Sequence, residues 1–140
     1  MILLDTNILS EVLRAAPEPR VLDWIGRQAA SSLFVTTVTQ AEILYGIAIL
    51  DKGRRRDELA AAALLMFSED FSGRLLAFDG DAATAFAEIA AARRGMGRPI
   101  SQFDAQIAAI ARSRGAILAT RNSRDFEHCG IELFDPWTES

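Results

Sequence analysis

The stretch Met1-Ile2-Leu3-Leu4-Asp5-Thr6-Asn7 decides the fold class of this chain. Its four leading apolar residues are typical of a strand that is buried on both faces, and such strands belong to parallel sheets. Asp5 follows directly, so it should lie at the carboxyl edge of the sheet, where open α/β folds keep their ligand sites. The short polar side chains of Thr6 and Asn7 can hold a neighbouring oxyanion or close a turn.

Strand-like and helix-like segments alternate along the rest of the chain. Further strands are predicted at 33–36, 75–78 and 116–120, with a fifth candidate at 131–134. Helical patterns cover 8–14, a short segment through Trp24, 39–50, 55–67, 79–94 and 101–114. This alternation predicts one α/β domain over residues 1–140, with a mostly parallel, twisted sheet of four to five strands and helices on both faces.

Composition limits the function classes. No run approaches the ~20 apolar residues that a membrane span needs, and Asp5 and Glu11 interrupt the region where a secretory signal would be apolar. Cys129 is the only cysteine, so no internal disulfide can form and we expect a cytoplasmic location. The net charge of -4 argues against a nucleic-acid coat protein, which is usually basic, but leaves a nucleic-acid enzyme open.

Two acids occur in tetrapeptides that have the form of a capping box. Thr39-Gln40-Ala41-Glu42 and Ser101-Gln102-Phe103-Asp104 each place an acid three residues after a hydroxyl residue. Each acid can therefore be a helix cap. Alternatively, an acid in the first helical turn can face the mouth of the sheet beside Asp5.

Three such acids would repel one another unless a cation neutralised them. Carboxylate, amide and hydroxyl oxygens favour hard ions such as Mg²⁺ or Mn²⁺. A zinc site would lack its usual ligands, because His128 and Cys129 are the only histidine and cysteine.

The order of these motifs resembles a known family. The segments in question are Ile2-Leu3-Leu4-Asp5-Thr6-Asn7, Thr39-x-x-Glu42, Asp104-Ala105-x-Ile107-Ala108 and Thr120-Arg121-Asn122-x-x-Asp125-Phe126. Together they are similar to the PIN-domain ribonucleases, and most similar to the VapC-type toxins of bacterial toxin–antitoxin pairs. The resemblance implies a Mg²⁺- or Mn²⁺-dependent endoribonuclease that is usually a homodimer. It further implies a small VapB-like antitoxin that keeps the enzyme silent, and an RNA substrate that in such relatives is often transfer RNA.

By the same resemblance, Asp5, Glu42 and Asp104 match the acidic metal-binding triad of the family. Many relatives have a fourth acid immediately after the Thr-Arg pair, where this chain has Asn122, with Asp125 three places further on. Either residue could fill that position. The remaining expected site residues are Thr6, Asn7 and Thr120, which would orient the carboxylates, and Arg121 and Arg98, which would bind RNA or form surface ion pairs.

Two other functions stay open at this point. A haloacid-dehalogenase-type phosphatase also places an Asp after its first strand, but it ordinarily needs a second acid two residues later, where this chain has Asn7. Lys52, the only lysine, lies between predicted helices and is a poor partner for such chemistry. A catalytically impaired PIN-fold binding module is the other alternative, because Asn122 stands where an Asp is expected.

Overall fold

Five strands and six α-helices make up the part of the chain that the computed structural model describes, residues 1–139. The elements are β1 (Ile2–Leu4), α1 (Thr6–Val12), α2 (Pro19–Arg27), β2 (Leu33–Thr36), α3 (Thr37–Ala48), α4 (Arg54–Leu65), β3 (Leu75–Leu76), α5 (Gly80–Gly95), α6 (Gln102–Arg114), β4 (Ile117–Ala119) and β5 (Leu133–Phe134). A π-helical turn (Met66–Asp70) extends α4, and a 3₁₀ turn (Ser123–Phe126) follows β4.

The strands form one parallel sheet in the order β3-β2-β1-β4-β5. Leu3 in the central strand β1 pairs with Phe34 of β2 on one side and with Leu118 of β4 on the other. The chain therefore builds the sheet outward from β1 in one direction and then crosses to the opposite side for β4. The strand order reverses between β1 and β4, and open α/β sheets bind ligands at the carboxyl side of such a switch point.

Helices cover both faces of the sheet, which confirms the predicted fold class. Consecutive strand residues point to opposite faces. Leu3 accordingly joins a core formed mainly with α5 and α6, while Leu4 joins a core formed with α1 to α4. Both side chains are at most 1% exposed, which explains why β1 is apolar without alternation.

Small side chains pack the two helices α5 and α6 closely. Ala82 and Ala85 of α5, and Ala105 and Ala108 of α6, are all buried.

Membrane-spanning helices are absent from the described part of the chain. α5 is the longest helix of the described residues and carries charged residues along its length. None of the helices within residues 1–139 combines the length and apolar character needed to cross a membrane.

The predicted bounds agree best where a strand is central. β2 has the predicted bounds 33–36, whereas β3 and β5 are each two residues long, shorter than predicted. β3 ends at Leu76 because its pairing partner, Thr36, is the last residue of β2.

Candidate functional site

Polar side chains stand at the carboxyl ends of three neighbouring strands. Asp5 follows β1, Thr36 ends β2 and Thr120 follows β4. Because the strands are parallel, these ends meet at one edge of the sheet, beside the switch point. The two threonines are fully buried and Asp5 is only 4% exposed. The side-chain oxygens at this edge of the sheet are therefore largely shielded from solvent.

Both oxygens of the Asp5 carboxylate accept hydrogen bonds. The backbone N–H of Thr6 donates to Oδ1 at 2.8 Å, so Asp5 caps α1. The Thr120 hydroxyl donates to Oδ2 at 2.7 Å, and the Asn7 side-chain amide donates to the same oxygen at 3.2 Å. These donors fix the orientation of the carboxylate without neutralising its charge.

Glu42 lies in the second turn of α3, so the capping box predicted at Thr39 is wrong. The helix is capped by Thr36, whose hydroxyl accepts from the Thr39 N–H at 3.0 Å. The Thr6 hydroxyl donates to Glu42 Oε1 at 2.8 Å and lies 3.0 Å from the Thr39 hydroxyl. Thr6 therefore links Glu42 to the end of β1, and Glu42 is held by a tertiary contact rather than by its own helix end.

Asp104 lies in the first turn of α6, as the second tetrapeptide predicts. Ser101 caps this helix, and its hydroxyl accepts from the Asp104 N–H at 3.2 Å. The Asp104 side chain is half-buried. The helix N-terminus favours its ionised form by about 0.3–1 kcal/mol.

Burial raises the pKa of all three acids. The pKa of Asp5 rises from its ordinary value of 3.8 to about 6, although the hydrogen bonds from Thr120 and Thr6 work in the opposite direction. The pKa values of Glu42 and Asp104 are also raised, again mainly by burial. The negative charge of Asp104 adds to the rise at both of the other acids. Carboxylates in this state are stabilised by a bound cation.

One cleft of about 440 Å³ brings the three acids together. Its volume lies in the range of roughly 300–1,000 Å³ that small-ligand sites occupy. The cleft is lined by Asp5, Thr6, Asn7, Ser10, Glu11, Arg14, Glu42, Asp104, Arg121, Asn122 and Trp137. Acids from β1, α3 and α6 thus converge on one cavity at the carboxyl edge of the sheet.

The donor atoms of the cleft suit a hard divalent cation, because they are carboxylate, amide and hydroxyl oxygens. Within residues 1–139, no three acidic, histidine or cysteine side chains stand close enough to form a ready-made metal site. The chemistry of the cleft therefore fits a divalent cation.

Asn122 borders the cleft, whereas Asp125 lies beside it. The Asn122 backbone N–H donates to the Thr120 hydroxyl at 3.0 Å. Asp125, in the 3₁₀ turn, lines a neighbouring cleft that it shares with Asn122. Its charge nevertheless raises the pKa of Asp104. Asn122 can therefore contact an ion or molecule bound in the cleft directly, whereas Asp125 acts on Asp104 through its charge.

The two arginines expected at the site occupy different positions. Arg121 lines the cleft, and its guanidinium carbon lies 5.0 Å from the centre of the Trp137 ring. Arg98 lies outside the cleft wall and forms an ion pair with Glu127 at 3.1 Å. Of these two arginines, only Arg121 lines the cavity of the three acids.

Four residues of the cleft are not predicted from the sequence: Ser10, Glu11, Arg14 and Trp137. The Glu11 carboxylate is buried and accepts from the Arg14 guanidinium at 2.8 Å. Ser10 and Glu11 follow Thr6 and Asn7 by four residues, and this helical spacing could have placed them on the cleft face of α1. No comparable signal exists for Trp137, because only the pairing of β5 with β4 brings it to this edge.

A family model for the PIN domain matches residues 2–131 of the chain. The plasmid stability protein StbB of Pseudomonas syringae pv. tomato is 42% identical over 98% of this chain and 99% of that protein. The VapC ribonuclease Y4jK of Sinorhizobium fredii is 36% identical over 98% of each chain. The toxin FitB of Neisseria gonorrhoeae is 34% identical over 98% of this chain and 99% of that protein.

Solved structures share the fold over the same length. The crystal structure of FitAcB from Neisseria gonorrhoeae superposes with a TM-score of 0.93 at 33% identity, covering 99% of this chain and 100% of that chain. DNA-bound VapBC from Salmonella typhimurium superposes with a TM-score of 0.82 at 27% identity, covering 96% of this chain and 97% of that chain.

Proposed function

This chain belongs to the PIN domain family, and we propose that it is a Mg²⁺- or Mn²⁺-dependent endoribonuclease, the toxin of a bacterial toxin–antitoxin pair. PIN-domain nucleases generally use divalent metal ions. The observation that carries the proposal is that three carboxylates, each at least partly buried, converge in one cleft at the switch point of the sheet. The names of two relatives, VapC ribonuclease and toxin FitB, support the activity and the biological role.

Asp5, Glu42 and Asp104 would hold the cation. Once bound, it would polarise a phosphodiester and make a water molecule more acidic. Thr120 and Asn7 keep the Asp5 carboxylate oriented, and Thr6 does the same for Glu42. Orienting these side chains in advance lowers the entropic cost of assembling the site.

Other residues act on the RNA and on the attacking water. The Asn122 amide oxygen can accept a hydrogen bond from that water or contact the cation, and Asp125 is the alternative occupant of the fourth position. Arg121 can neutralise a phosphate beside the cleaved bond, because its planar fork bonds two oxygens. Arg98 would contact the strand further out, where it now pairs with Glu127.

The phosphatase alternative loses support at the residue on which it depends. The Asn7 side chain donates to Asp5 Oδ2, but it is a carboxamide that does not release a proton, so it cannot serve as the general acid. Lys52 is exposed in the turn between α3 and α4. The impaired binding module remains as an outcome of the test below.

We further propose that residues 1–140 form one functional unit, a cytoplasmic homodimer silenced by a VapB-like antitoxin. Structural similarity to VapBC from Salmonella typhimurium supports the antitoxin. Transfer RNA is the first substrate to test.

The proposal is tested by measuring Mn²⁺-dependent cleavage of transfer RNA by the parent and by Asp104→Asn. We expect the variant to keep its circular dichroism spectrum and to lose about 100-fold or more in rate, because a metal ligand loses its charge. Asp81→Asn is the matched control, since Asp81 is an exposed acid in the first turn of α5. Equal rates for Asp104→Asn and the parent would refute the nuclease. A parent that neither binds Mn²⁺ by calorimetry nor cuts RNA would indicate the impaired module.

A further inference from the structure

Trp137 is the one aromatic side chain among the described residues that line the acidic cleft. It follows β5 and is held in a turn, because its backbone N–H donates to the Asp135 carboxylate at 2.8 Å. Arg20 secures the next residue, donating to the Thr138 carbonyl at 3.1 Å. Part of the indole packs on the core of α1 to α4, and the ring remains partly exposed. The structure therefore presents a fixed, partly open aromatic surface beside the three acids.

Arg121 lies over this ring. Its guanidinium carbon is 5.0 Å from the ring centre, which is the distance of a cation–π contact. Among residues 1–139, Arg121 forms no ion pair within 4.0 Å, even though four acids line its cleft. Its backbone N–H donates to the Asn7 side chain at 3.3 Å, and Asn7 in turn donates to Asp5. The Arg121 guanidinium and the Trp137 ring therefore have a fixed position relative to Asp5, the acid at the end of β1.

We propose that Trp137 and Arg121 form a nucleotide-binding subsite for single-stranded RNA, in which the indole stacks on a base next to the cleaved bond and the guanidinium binds the adjoining phosphate. This inference rests on the proposed nuclease function. In the free protein Arg121 covers the ring. When RNA enters, the guanidinium moves to the phosphate and the base takes its place on the indole.

The exchange is favourable because one contact, between Arg121 and Trp137, is replaced by two stronger ones, between the base and Trp137 and between Arg121 and the phosphate. An exposed cation–π contact is weaker than a base stacked on an aromatic side chain, and a guanidinium–phosphate bond is charge-assisted and bidentate. Stacking also provides affinity for RNA that does not depend on charge. The chain has a net charge of -4 and an acidic cleft, so affinity for a polyanion cannot come from charge alone.

Tryptophan fluorescence tests base stacking directly. The chain has two tryptophans, and Trp24 is buried and stacked on Phe134 with ring centres 5.2 Å apart. Trp24→Phe therefore leaves Trp137 as the sole tryptophan reporter, and Asp104→Asn in the same protein prevents cleavage. We expect hexauridylate to quench this fluorescence. A ribose-phosphate hexamer without bases should quench it little and bind roughly 5- to 150-fold more weakly. Equal binding of the two hexamers without quenching would overturn the subsite.

Cleavage kinetics provide the second readout, with Trp137→Ala, Trp137→Phe and the exposed Arg94→Ala as control. We expect Trp137→Ala to raise KM for transfer RNA by roughly 5- to 150-fold with little change in kcat, and Trp137→Phe to restore most of the loss. Arg94→Ala should behave as the parent.

If the parent cuts RNA and a folded Trp137→Ala has an unchanged KM, the subsite is overturned and the nuclease assignment stands. Base-dependent quenching with a parent that cuts no RNA would support the subsite and refute the nuclease. If Trp137→Ala fails to fold, the fluorescence measurement decides, because it keeps Trp137.

Discussion

Glu42 is the residue for which capping and catalysis make opposite predictions. A capping role would tolerate Glu42→Gln, because Gln also serves in a capping box. In the structure Glu42 accepts from Thr6 inside the cleft, so we expect Glu42→Gln to lower Mn²⁺-dependent RNA cleavage about 100-fold or more. Stability should change little, since the amide oxygen can still accept from the Thr6 hydroxyl.

The measurement is kcat together with the melting temperature. Glu58→Gln is the matched control, because Glu58 lies on α4 in an exposed pair with Arg54. Undiminished cleavage by Glu42→Gln would assign Glu42 a structural role only.

Asp5 makes the stability of the metal-free protein depend on pH. Its pKa is about 6 in the folded protein and 3.8 ordinarily. Well below pH 3.8 the carboxyl is protonated in both states and no penalty exists, whereas well above pH 6 it is ionised in both and the folded state carries the full penalty. Ionisation should therefore remove up to about 3 kcal/mol of folding stability as pH rises from 4 to 7.

We expect Asp5→Asn to escape this penalty. In EDTA, its melting temperature relative to the parent should rise between pH 4 and pH 7, because only the parent gains a buried charge. Thermal melting at a series of pH values measures the difference, and any fixed effect of the amide on hydrogen bonding cancels in the series. A constant difference across that range would show that Asp5 does not titrate near pH 6.

At the scale of single elements, the start of α3 shows what local sequence cannot decide. Thr36, Thr37 and Thr39 all offer a capping hydroxyl within four residues. Thr36 is both the last residue of β2 and the N-cap of α3, so no loop separates the two elements. The choice depends on where β2 stops, which the pairing with β1 and β3 determines. The start of α6 at Ser101 has no such competitor, and there the sequence predicts the cap correctly.

Arg93 joins α5 to the 3₁₀ turn that carries Asp125. Arg93 is 5% exposed, and its guanidinium donates to the carbonyls of Arg98 at 2.7 Å, Asp125 at 2.9 Å and Glu127 at 3.1 Å. We expect Arg93→Leu to destabilise the fold by about 3 kcal/mol or more, because these acceptors lose their donor. Arg93→Lys should recover only part, since one ammonium cannot span all three carbonyls.

Urea unfolding measures this loss from the midpoint and slope. Arg94→Ala, at the exposed neighbouring position on α5, should change the unfolding free energy by less than about 0.5 kcal/mol. Similar values for Arg93→Leu and Arg94→Ala would mean that water replaces the guanidinium without cost.

For the whole molecule, sequence predicts which residues lie near the carboxyl edge but not which of them share a cavity. Asp5 and Thr120 follow apolar strands, so their location is a local property. The strand order β3-β2-β1-β4-β5 sets β1 and β4 side by side and thereby allows the Thr120 hydroxyl to reach Asp5. Trp137 enters the cleft only because β5 pairs with β4. Contacts of this kind depend on tertiary pairing, which no periodicity in the sequence records.

Cation binding should stabilise the whole fold, because Asp5, Glu42 and Asp104 connect β1, α3 and α6. At a free Mn²⁺ concentration of 100 times the dissociation constant, mass action adds about 2.7 kcal/mol, or roughly 8 °C in melting temperature for a chain of this size. The shift should vanish in Asp5→Asn/Asp104→Asn and shrink below pH 6, where Asp5 holds a proton that the cation must displace. Differential scanning calorimetry after EDTA treatment measures it, with KCl at matched ionic strength as control. Equal shifts in Mn²⁺ and KCl would mean that the cleft only screens charge and holds no cation.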